Sequence, residues 1–252
     1  MRYDTFFTKL LKKLCYLFPE VQIIVAVNGF HDSEKHESYL NRIRKDWNLV
    51  NNVKFILHQL PNGLSQLWNE IIQLSTTDHV LILNDDIGIV NYIRYWFETL
   101  PWGKKDFCKV NGSWSHFIIN RDCFESVGPF DQGFKGIGFE DIDYEARLTL
   151  SGAKINNLNC QYISNLTNMP EETSFEKISD KLWGKYTLSN FEYFLTKWEL
   201  VDEGDNKNVI MYVKELEKNI RLKQPGQLLF QYSPTIKIQK LGNKSPFIEV
   251  CT

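Results

Sequence analysis

The sequence has no long apolar run and no excess of charge of either sign. A membrane-spanning helix needs about 20 consecutive apolar residues, and the apolar runs in this chain are only as long as a strand. Its 29 basic and 31 acidic residues are interspersed and give a net charge of -2. Without a basic surface the chain lacks the electrostatic footprint of a nucleic-acid-binding protein. We therefore predict no transmembrane segment and no nucleic-acid partner.

Cysteine is also scarce, and the five cysteines are scattered. No two of them stand at the close spacing that zinc or thiol–disulfide chemistry needs, so we expect reduced thiols in a cytoplasm-like compartment. The N-terminus mixes lysines with apolar residues, which predicts an amphipathic helix and not a signal peptide. We expect a cytoplasmic protein and leave peripheral attachment to a membrane open.

Apolar residues make up 43% of the 252 residues, which is enough for a packed core. After the first helix, the pattern predicts strands at Val21–Val27, Val53–Leu57 and His79–Leu83, with helices near 34–47 and 63–74 between them. Such alternation is typical of an α/β fold with a mostly parallel sheet sandwiched by helices.

The second half is predicted to add a strand at Trp114–Asn120, a glycine-bearing loop at Val127–Gly138, a helix at Asp141–Leu150 and a strand at Lys154–Leu158. Further helices are predicted over 188–198 and 209–222, followed by two weak edge strands within 227–250. We divide the chain into a main domain, 1–185, and a smaller helical and strand C-terminal extension, 186–252.

The first candidate site follows the buried strand that ends at Leu83, where Asn84, Asp85 and Asp86 stand in sequence. Loops at the carboxyl ends of the strands bind ligands in open α/β sheets. Successive side chains of an extended chain point to opposite faces, so one carboxylate could bind Mg²⁺ or Mn²⁺ while the other meets a ribose. The alternative is an ordinary turn after a strand.

A second acidic group lies at the predicted start of the helix near Asp141. Gly136 and Gly138 precede Glu140, Asp141 and Asp143, so a glycine loop brings three carboxylates to the first helical turn. A catalytic base could stand there. The alternative is that acidic side chains simply favour helix N-termini.

The order of these groups resembles that of the GT-A glycosyltransferases, especially family 2. The matching segments are Ile23–Gly29, Gly63–Asn69, Leu81–Asp86, which resembles the Asp-x-Asp region, and Val127–Asp131 followed by Gly136–Asp143, which is also similar to the Glu-Asp region of β-1,4-galactosyltransferases. The resemblance covers roughly Phe6 to Leu158.

The resemblance implies an inverting, metal-dependent transfer of a sugar from a nucleotide diphosphate sugar to an acceptor hydroxyl of a glycan or glycolipid. Asp86 would bind Mn²⁺ or Mg²⁺, and Asp85 and Asn84 would contact the donor. Asp141 would be the catalytic base, and Glu140 would bind the acceptor.

Three further residues receive roles from the resemblance. Asn28 and Asp32 follow the first strand, where the family contacts the nucleobase. Trp114 could stack on an acceptor sugar, although core packing is its ordinary role. The extension 186–252 would bind acceptor or mediate self-association as a homo-oligomer.

The chain departs from the family in two respects. It begins at what resembles the family's first helix, so we expect either a rearranged sheet or a truncated chain. Many relatives carry a metal-binding histidine after the Glu-Asp helix, whereas the last histidine here is His116, so Asn165, Asn168 or water must substitute. A non-catalytic scaffold or sugar-nucleotide-binding domain, or a nucleotidyltransferase, are the alternative functions.

Overall fold

The computed structural model describes residues 3–30, 32–100, 107–166, 186 and 188–198. A π-helical turn, Tyr3–Phe7, leads into the first α-helix. The α-helices are α1 Thr8–Leu17, α2 Ser33–Trp47, α3 Leu64–Leu74, α4 Ile93–Thr99, α5 Arg121–Val127, α6 Glu140–Leu150 and α7, residues 188–198. The strands are β1 Ile23–Val27, β2 Val53–Leu57, β3 His79–Leu83, β4 Ile87–Ile89, β5 Phe107–Val110, β6 Ser113–Asn120, β7 Ile155–Leu158 and β8 Ile163–Asn165.

The described residues fall into two compact units. One is drawn from the described residues within 3–62, 67–121 and 156–166, and the other from those within 63–66, 122–155 and 186–198. The predicted boundary at residue 185 stays a prediction. The predicted helix over 209–222 and the strands within 227–250 lie outside the described residues, as does Asn168.

In the first unit, β1 and β2 pair in parallel from Ile23↔Val53 to Val27↔Leu57. The first helices and α2 cover this pair because their apolar faces share one core, which includes Phe7, Leu40 and Trp47. The remaining strands of this unit form a four-stranded sheet in the order β3-β6-β5-β7 and a separate β4–β8 pair.

The predicted α/β class is confirmed, but the expectation of mostly parallel pairing is wrong for the described strands. β3–β6, β5–β6 and β4–β8 are all antiparallel. The β5–β6 hairpin explains part of this, because Asn111 (φ 53°) and Gly112 (φ 70°) form its two-residue turn. Two positive φ angles in succession are the geometry of a type I′ turn, which reverses the chain and makes the two strands antiparallel.

The second unit has its own core, in which α6 and α7 share buried side chains. Phe139 and Ala146 pack with Phe191, Phe194 and Trp198. None of the helices that the structure describes combines the length and the apolar character needed to cross a membrane. The described cysteines, Cys15, Cys108, Cys123 and Cys160, form no disulfide with one another, and the predicted reduced state stays a prediction.

Candidate functional site

The segment Asn84–Asp86 leaves β3 and is held by its backbone on two sides. The N–H of Asn84 donates to the carbonyl of Ser115 at 2.9 Å, which continues the β3–β6 pairing by one step. The N–H of Leu166 donates to the carbonyl of Asp86, also at 2.9 Å. These bonds fix the position of the two predicted acidic residues at the carboxyl end of β3.

The two carboxylates differ in burial. Asp86 is 5% exposed, whereas Asp85 is half-buried. β8 runs beside Asp86, because Ile87 pairs with Asn165. The structure therefore brings Asn165, one of the substitute ligands expected from the sequence, to the strand next to Asp86.

His116 is a residue that the sequence analysis left without a role. It pairs with Leu83, the last residue of β3, and it is only 3% exposed. Burial lowers the pKa of its imidazole, and the negative charge of Asp86 partly opposes that effect. No described residue hydrogen-bonds to either ring nitrogen. A neutral imidazole with unused nitrogens thus lies near the buried carboxylate.

Trp114 lies two residues before His116 on the same strand and is surrounded by other aromatic rings. Its ring centroid is 5.0 Å from that of Phe107, 5.4 Å from that of Phe117 and 6.5 Å from that of Trp68. These contacts favour the packing role over sugar stacking, although Trp114 is half-buried and not sealed in the core. The acceptor role stays a prediction.

In the loop after β1, the predicted donor-binding residue Asn28 forms hydrogen bonds within the protein. The side chain of Asn28 donates to the carbonyl of Asn62 at 3.0 Å and accepts from the N–H of the same residue at 2.8 Å. A Cβ on Gly29 would lie 2.2 Å from the carbonyl carbon of Leu60, so glycine is needed for this close approach. Asn28 and Gly29 therefore join the loops that follow β1 and β2.

Asp32 is the N-cap of α2. Its carboxylate accepts a hydrogen bond from the N–H of Lys35 at 3.1 Å and forms an ion pair with the ammonium of that residue at 2.9 Å. These bonds lower the pKa of the carboxyl. The cap explains why an acidic residue precedes α2 without any ligand, and the nucleobase role of Asp32 stays a prediction.

In the second unit, three positive φ angles shape the approach to α6. Gly136 (φ 61°) and Gly138 (φ 115°) adopt them readily, whereas Phe139 (φ 71°) is left-handed at some energetic cost. The Phe139 ring packs 5.5 Å from Phe194 between centroids, and this burial offsets the cost. The chain therefore turns sharply just before Glu140 and Asp141.

The two adjacent carboxyl groups occupy different environments. Glu140 is 4% exposed, and its Oε2 accepts from the N–H of Gly138 at 2.5 Å. Burial, with a further contribution from the negative charge of Asp141, raises the pKa of Glu140 to about 8. Asp141 is only half-buried, and its Oδ1 accepts from the N–H of Ile142 at 2.9 Å. Of the pair, Asp141 is the side chain with access to solvent.

Asn190 on α7 holds the glycine loop. Its Oδ1 accepts from the N–H of Lys135 at 2.9 Å, and its Nδ2 donates to the carbonyls of Lys135 at 2.8 Å and Gly138 at 2.9 Å. Leu64 adds a bond on the other side, since its N–H donates to the carbonyl of Gly136 at 3.0 Å. The helix α7 was predicted from the sequence, but its hydrogen bonds to the glycine loop were not, because Asn190 lies more than 50 residues along the chain from the loop.

The third carboxylate of the predicted acidic group, Asp143, belongs to the core. It accepts from the Nε of Arg147 at 3.0 Å, pairs with the ammonium of Lys197 at 2.6 Å and accepts from the indole N–H of Trp198 at 3.1 Å. Lys197 also pairs with Asp131 at 2.7 Å. Asp143 therefore joins α6 to α7 and is not presented with Glu140 and Asp141.

A bound divalent ion would need more than protein ligands at the site. Among the described residues, no three His, Cys, Asp or Glu side chains converge on one point. Asp86 and His116 are two side chains that could bind such an ion, and Asn165 stands on the strand next to Asp86. Carboxylate oxygen and imidazole nitrogen fit a six-coordinate ion whose remaining ligands come from a phosphorylated substrate and water.

No protein-family model matches the chain. No curated protein matches it. Solved structures do: a mannosyltransferase from Pyrobaculum calidifontis in complex with GDP-Man and Mn²⁺ matches with a TM-score of 0.53 and 10% identity over 93% of this chain and 74% of that chain.

GalNAc-T7 with UDP, GalNAc and Mn²⁺ gives a TM-score of 0.47 and 14% identity over 87% of this chain and 52% of that chain. The catalytic domain of Drosophila β1,4-galactosyltransferase 7 with xylobiose gives a TM-score of 0.38 and 12% identity over 64% of this chain and 81% of that chain. Of these three, only the mannosyltransferase exceeds a TM-score of 0.5, and at its identity the likeness shows the fold alone. The GT-A α/β fold expected from the sequence is confirmed at that level.

Proposed function

We propose that this protein is a metal-dependent, inverting glycosyltransferase that uses a nucleotide diphosphate sugar as donor. The observation that carries the proposal is the buried carboxylate of Asp86, fixed by backbone hydrogen bonds at the carboxyl end of β3 with Asp85 beside it. The mannosyltransferase that shares the fold binds GDP-Man and Mn²⁺, which supports the same class of donor and cofactor here.

The donor would be bound by the residues that follow β3. Asp86 would bind Mn²⁺ or Mg²⁺, which as a Lewis acid offsets the negative charge of the departing diphosphate. Asp85 is half-buried next to it and would accept a hydrogen bond from a ribose or sugar hydroxyl. Asn84 would orient the donor from the preceding position.

The acceptor chemistry would belong to the carboxylates at the start of α6. Asp141 would take the proton from the acceptor hydroxyl, and the oxygen would then form a bond to the anomeric carbon as the bond to the diphosphate breaks. Attack opposite the leaving group inverts the anomeric configuration, and no covalent intermediate forms. The acceptor would be a hydroxyl of a glycan or glycolipid.

Glu140 suits a different role from Asp141. With its pKa raised to about 8, Glu140 is mostly protonated at neutral pH, and a protonated carboxyl can donate a hydrogen bond. It would accept the hydrogen bond from the N–H of Gly138 and donate a hydrogen bond to an oxygen of the acceptor substrate. Neighbouring carboxyl groups in unequal environments are a recurrent way to divide such roles.

Release of nucleoside diphosphate from a panel of UDP-, GDP- and dTDP-sugars tests the proposal. With Mn²⁺ and a mixture of glycan acceptors, the wild type should release one of the three. Asp141→Asn should bind the donor yet lose turnover, and Asp86→Asn should lose metal-dependent donor binding. Asp122→Asn, an exposed residue of α5, is the matched control. Donor binding without turnover for every acceptor would favour a non-catalytic domain, and consumption of a nucleoside triphosphate would favour a nucleotidyltransferase.

A further inference from the structure

His116 is buried, and none of the described residues forms a hydrogen bond with its ring. The residue is only 3% exposed. A buried polar group without a hydrogen bond lowers the stability of the folded state. Native proteins contain few such groups, and a bound ion or an ordered water usually accounts for them.

The position of His116 is set by the sheet. β6 pairs with β3 so that His116 stands opposite Leu83, and the N–H of Asn84 bonds to the carbonyl of Ser115 at 2.9 Å. The imidazole is therefore at the strand end from which the Asn84–Asp86 segment departs. A second hydrogen bond, from the N–H of Leu166 to the carbonyl of Asp86, fixes the other end of the segment.

The chemistry of the pair favours a transition-metal ion. A carboxylate oxygen binds Mg²⁺ and Mn²⁺ alike, but an imidazole nitrogen favours transition metals over Mg²⁺, which prefers oxygen ligands. In the described part of the chain no third His, Cys, Asp or Glu side chain joins this pair, so the ion has room for ligands from a substrate. A nucleotide diphosphate supplies phosphate oxygens for this purpose.

We infer that His116 is a metal ligand beside Asp86, and that the pair binds Mn²⁺ in preference to Mg²⁺ and only together with the diphosphate of the donor. The inference rests on the proposed function. The nucleotide and the ion bind as a unit, so each raises the affinity of the other by the same factor.

The experiment measures the affinity for UDP, GDP and dTDP with Mn²⁺, with Mg²⁺ and without metal, in the full chain. For the wild type we expect at least tenfold tighter binding of one nucleotide with Mn²⁺ than without it. His116→Ala should reduce this factor at least tenfold and remove the preference for Mn²⁺. His79→Ala is the matched control, since His79 lies at the opposite end of the same strand pair.

Pulsed electron paramagnetic resonance of bound Mn²⁺ supplies a second readout. A histidine ligand gives a nitrogen coupling, which should disappear in His116→Ala and persist in His79→Ala. His116→Gln, which keeps more of the side-chain volume, is measured as well in case the alanine variant fails to fold; it should lose the same coupling. A merely structural histidine would change stability and leave both readouts intact.

The outcomes separate the two hypotheses. One outcome is that the wild type binds Mn²⁺ with a nucleoside diphosphate while His116→Ala or His116→Gln keeps both the tighter nucleotide binding with Mn²⁺ and the nitrogen coupling. In that case the inference is overturned and the proposed function stands. If the wild type shows no metal-dependent binding of any of the three nucleotides, the proposed function fails and the inference with it.

Discussion

Replacing Glu140 with glutamine should stabilise the protein near neutral pH and have little effect in mild acid. The pKa of Glu140 rises from 4.5 to about 8 on folding, chiefly because the side chain is buried and also because of the charge on Asp141. The folded protein therefore binds more protons than the unfolded chain between these two values. Stability must then fall as pH rises from about 4.5 towards 8, and it levels off above that.

The magnitude follows from the size of the shift. One pKa unit corresponds to about 1.4 kcal/mol, so Glu140 costs on the order of 3 kcal/mol of stability at pH 7 and less than about 1 kcal/mol at pH 5. Glutamine does not titrate, and its amide oxygen can still accept the hydrogen bond from Gly138. Glu140→Gln should therefore recover about 2 kcal/mol between pH 5 and pH 7.

Urea unfolding at half-unit steps from pH 4.5 to 9 measures the effect directly. The difference in unfolding free energy between variant and wild type should grow with pH and reach a plateau above pH 8. Glu125→Gln, on the exposed side of α5, should show no such growth. A difference for Glu140→Gln that is independent of pH would refute the assignment of a raised pKa to this carboxyl.

Two further variants test the structure around the site. Asn190→Ala removes four hydrogen bonds to the loop before α6 and should lower the unfolding free energy by about 2–3 kcal/mol in urea. Ser189→Ala should change it little, and equal losses in the two variants would contradict the role of Asn190 in holding this loop. Asn111→Ala removes two hydrogen bonds to the backbone of Cys160, one to its carbonyl at 2.7 Å and one from its N–H at 2.7 Å. Alanine also disfavours the φ of 53° at this position, so the unfolding free energy measured by thermal unfolding should fall by about 2–3 kcal/mol. Asn111→Gly, which restores the turn geometry alone, should recover part of that loss, and no recovery would contradict a role for φ.

Local patterns predicted many of the elements. The strands β2 and β3 have the bounds expected from the sequence, and α2, α3 and α6 begin within one residue of the expected position. Apolar periodicity and breaker residues are local signals, and these segments are long enough to display them. Shorter elements such as β4, α4 and α5 span too few residues for a periodic pattern.

Strand direction was the main error in the fold. The alternation of helices and strands favoured parallel pairing, but Asn111 and Gly112 form a hairpin turn that joins β5 to β6. An Asn-Gly pair between apolar segments is a strong hairpin signal and could have been used. The pairing of β3 with β6 is non-local, and no local pattern specifies it.

At the candidate site, the sequence indicated which residues are present but not how deeply each side chain is buried or what it contacts. The order of the acidic residues was visible, but the burial of Glu140 and the core position of Asp143 depend on packing between α6 and α7. Arginine side chains are usually exposed, yet Arg147 is 1% exposed and pairs with Asp143. The lack of a hydrogen bond from the described residues to the ring of His116 could not be predicted either, because it depends on what surrounds the strand in three dimensions.

Thermal unfolding with nucleotides and Mn²⁺ tests the central claim most directly. UDP, GDP and dTDP are each compared with and without the ion, for the wild type and for Asp86→Asn. A ligand that binds only the folded state raises the unfolding temperature by mass action. We predict that one nucleotide raises the unfolding temperature of the wild type only when Mn²⁺ is present, and that Asp86→Asn loses this shift. An absence of any shift at millimolar nucleotide, or an equal shift in Asp86→Asn, would contradict a metal-dependent donor site at the end of β3.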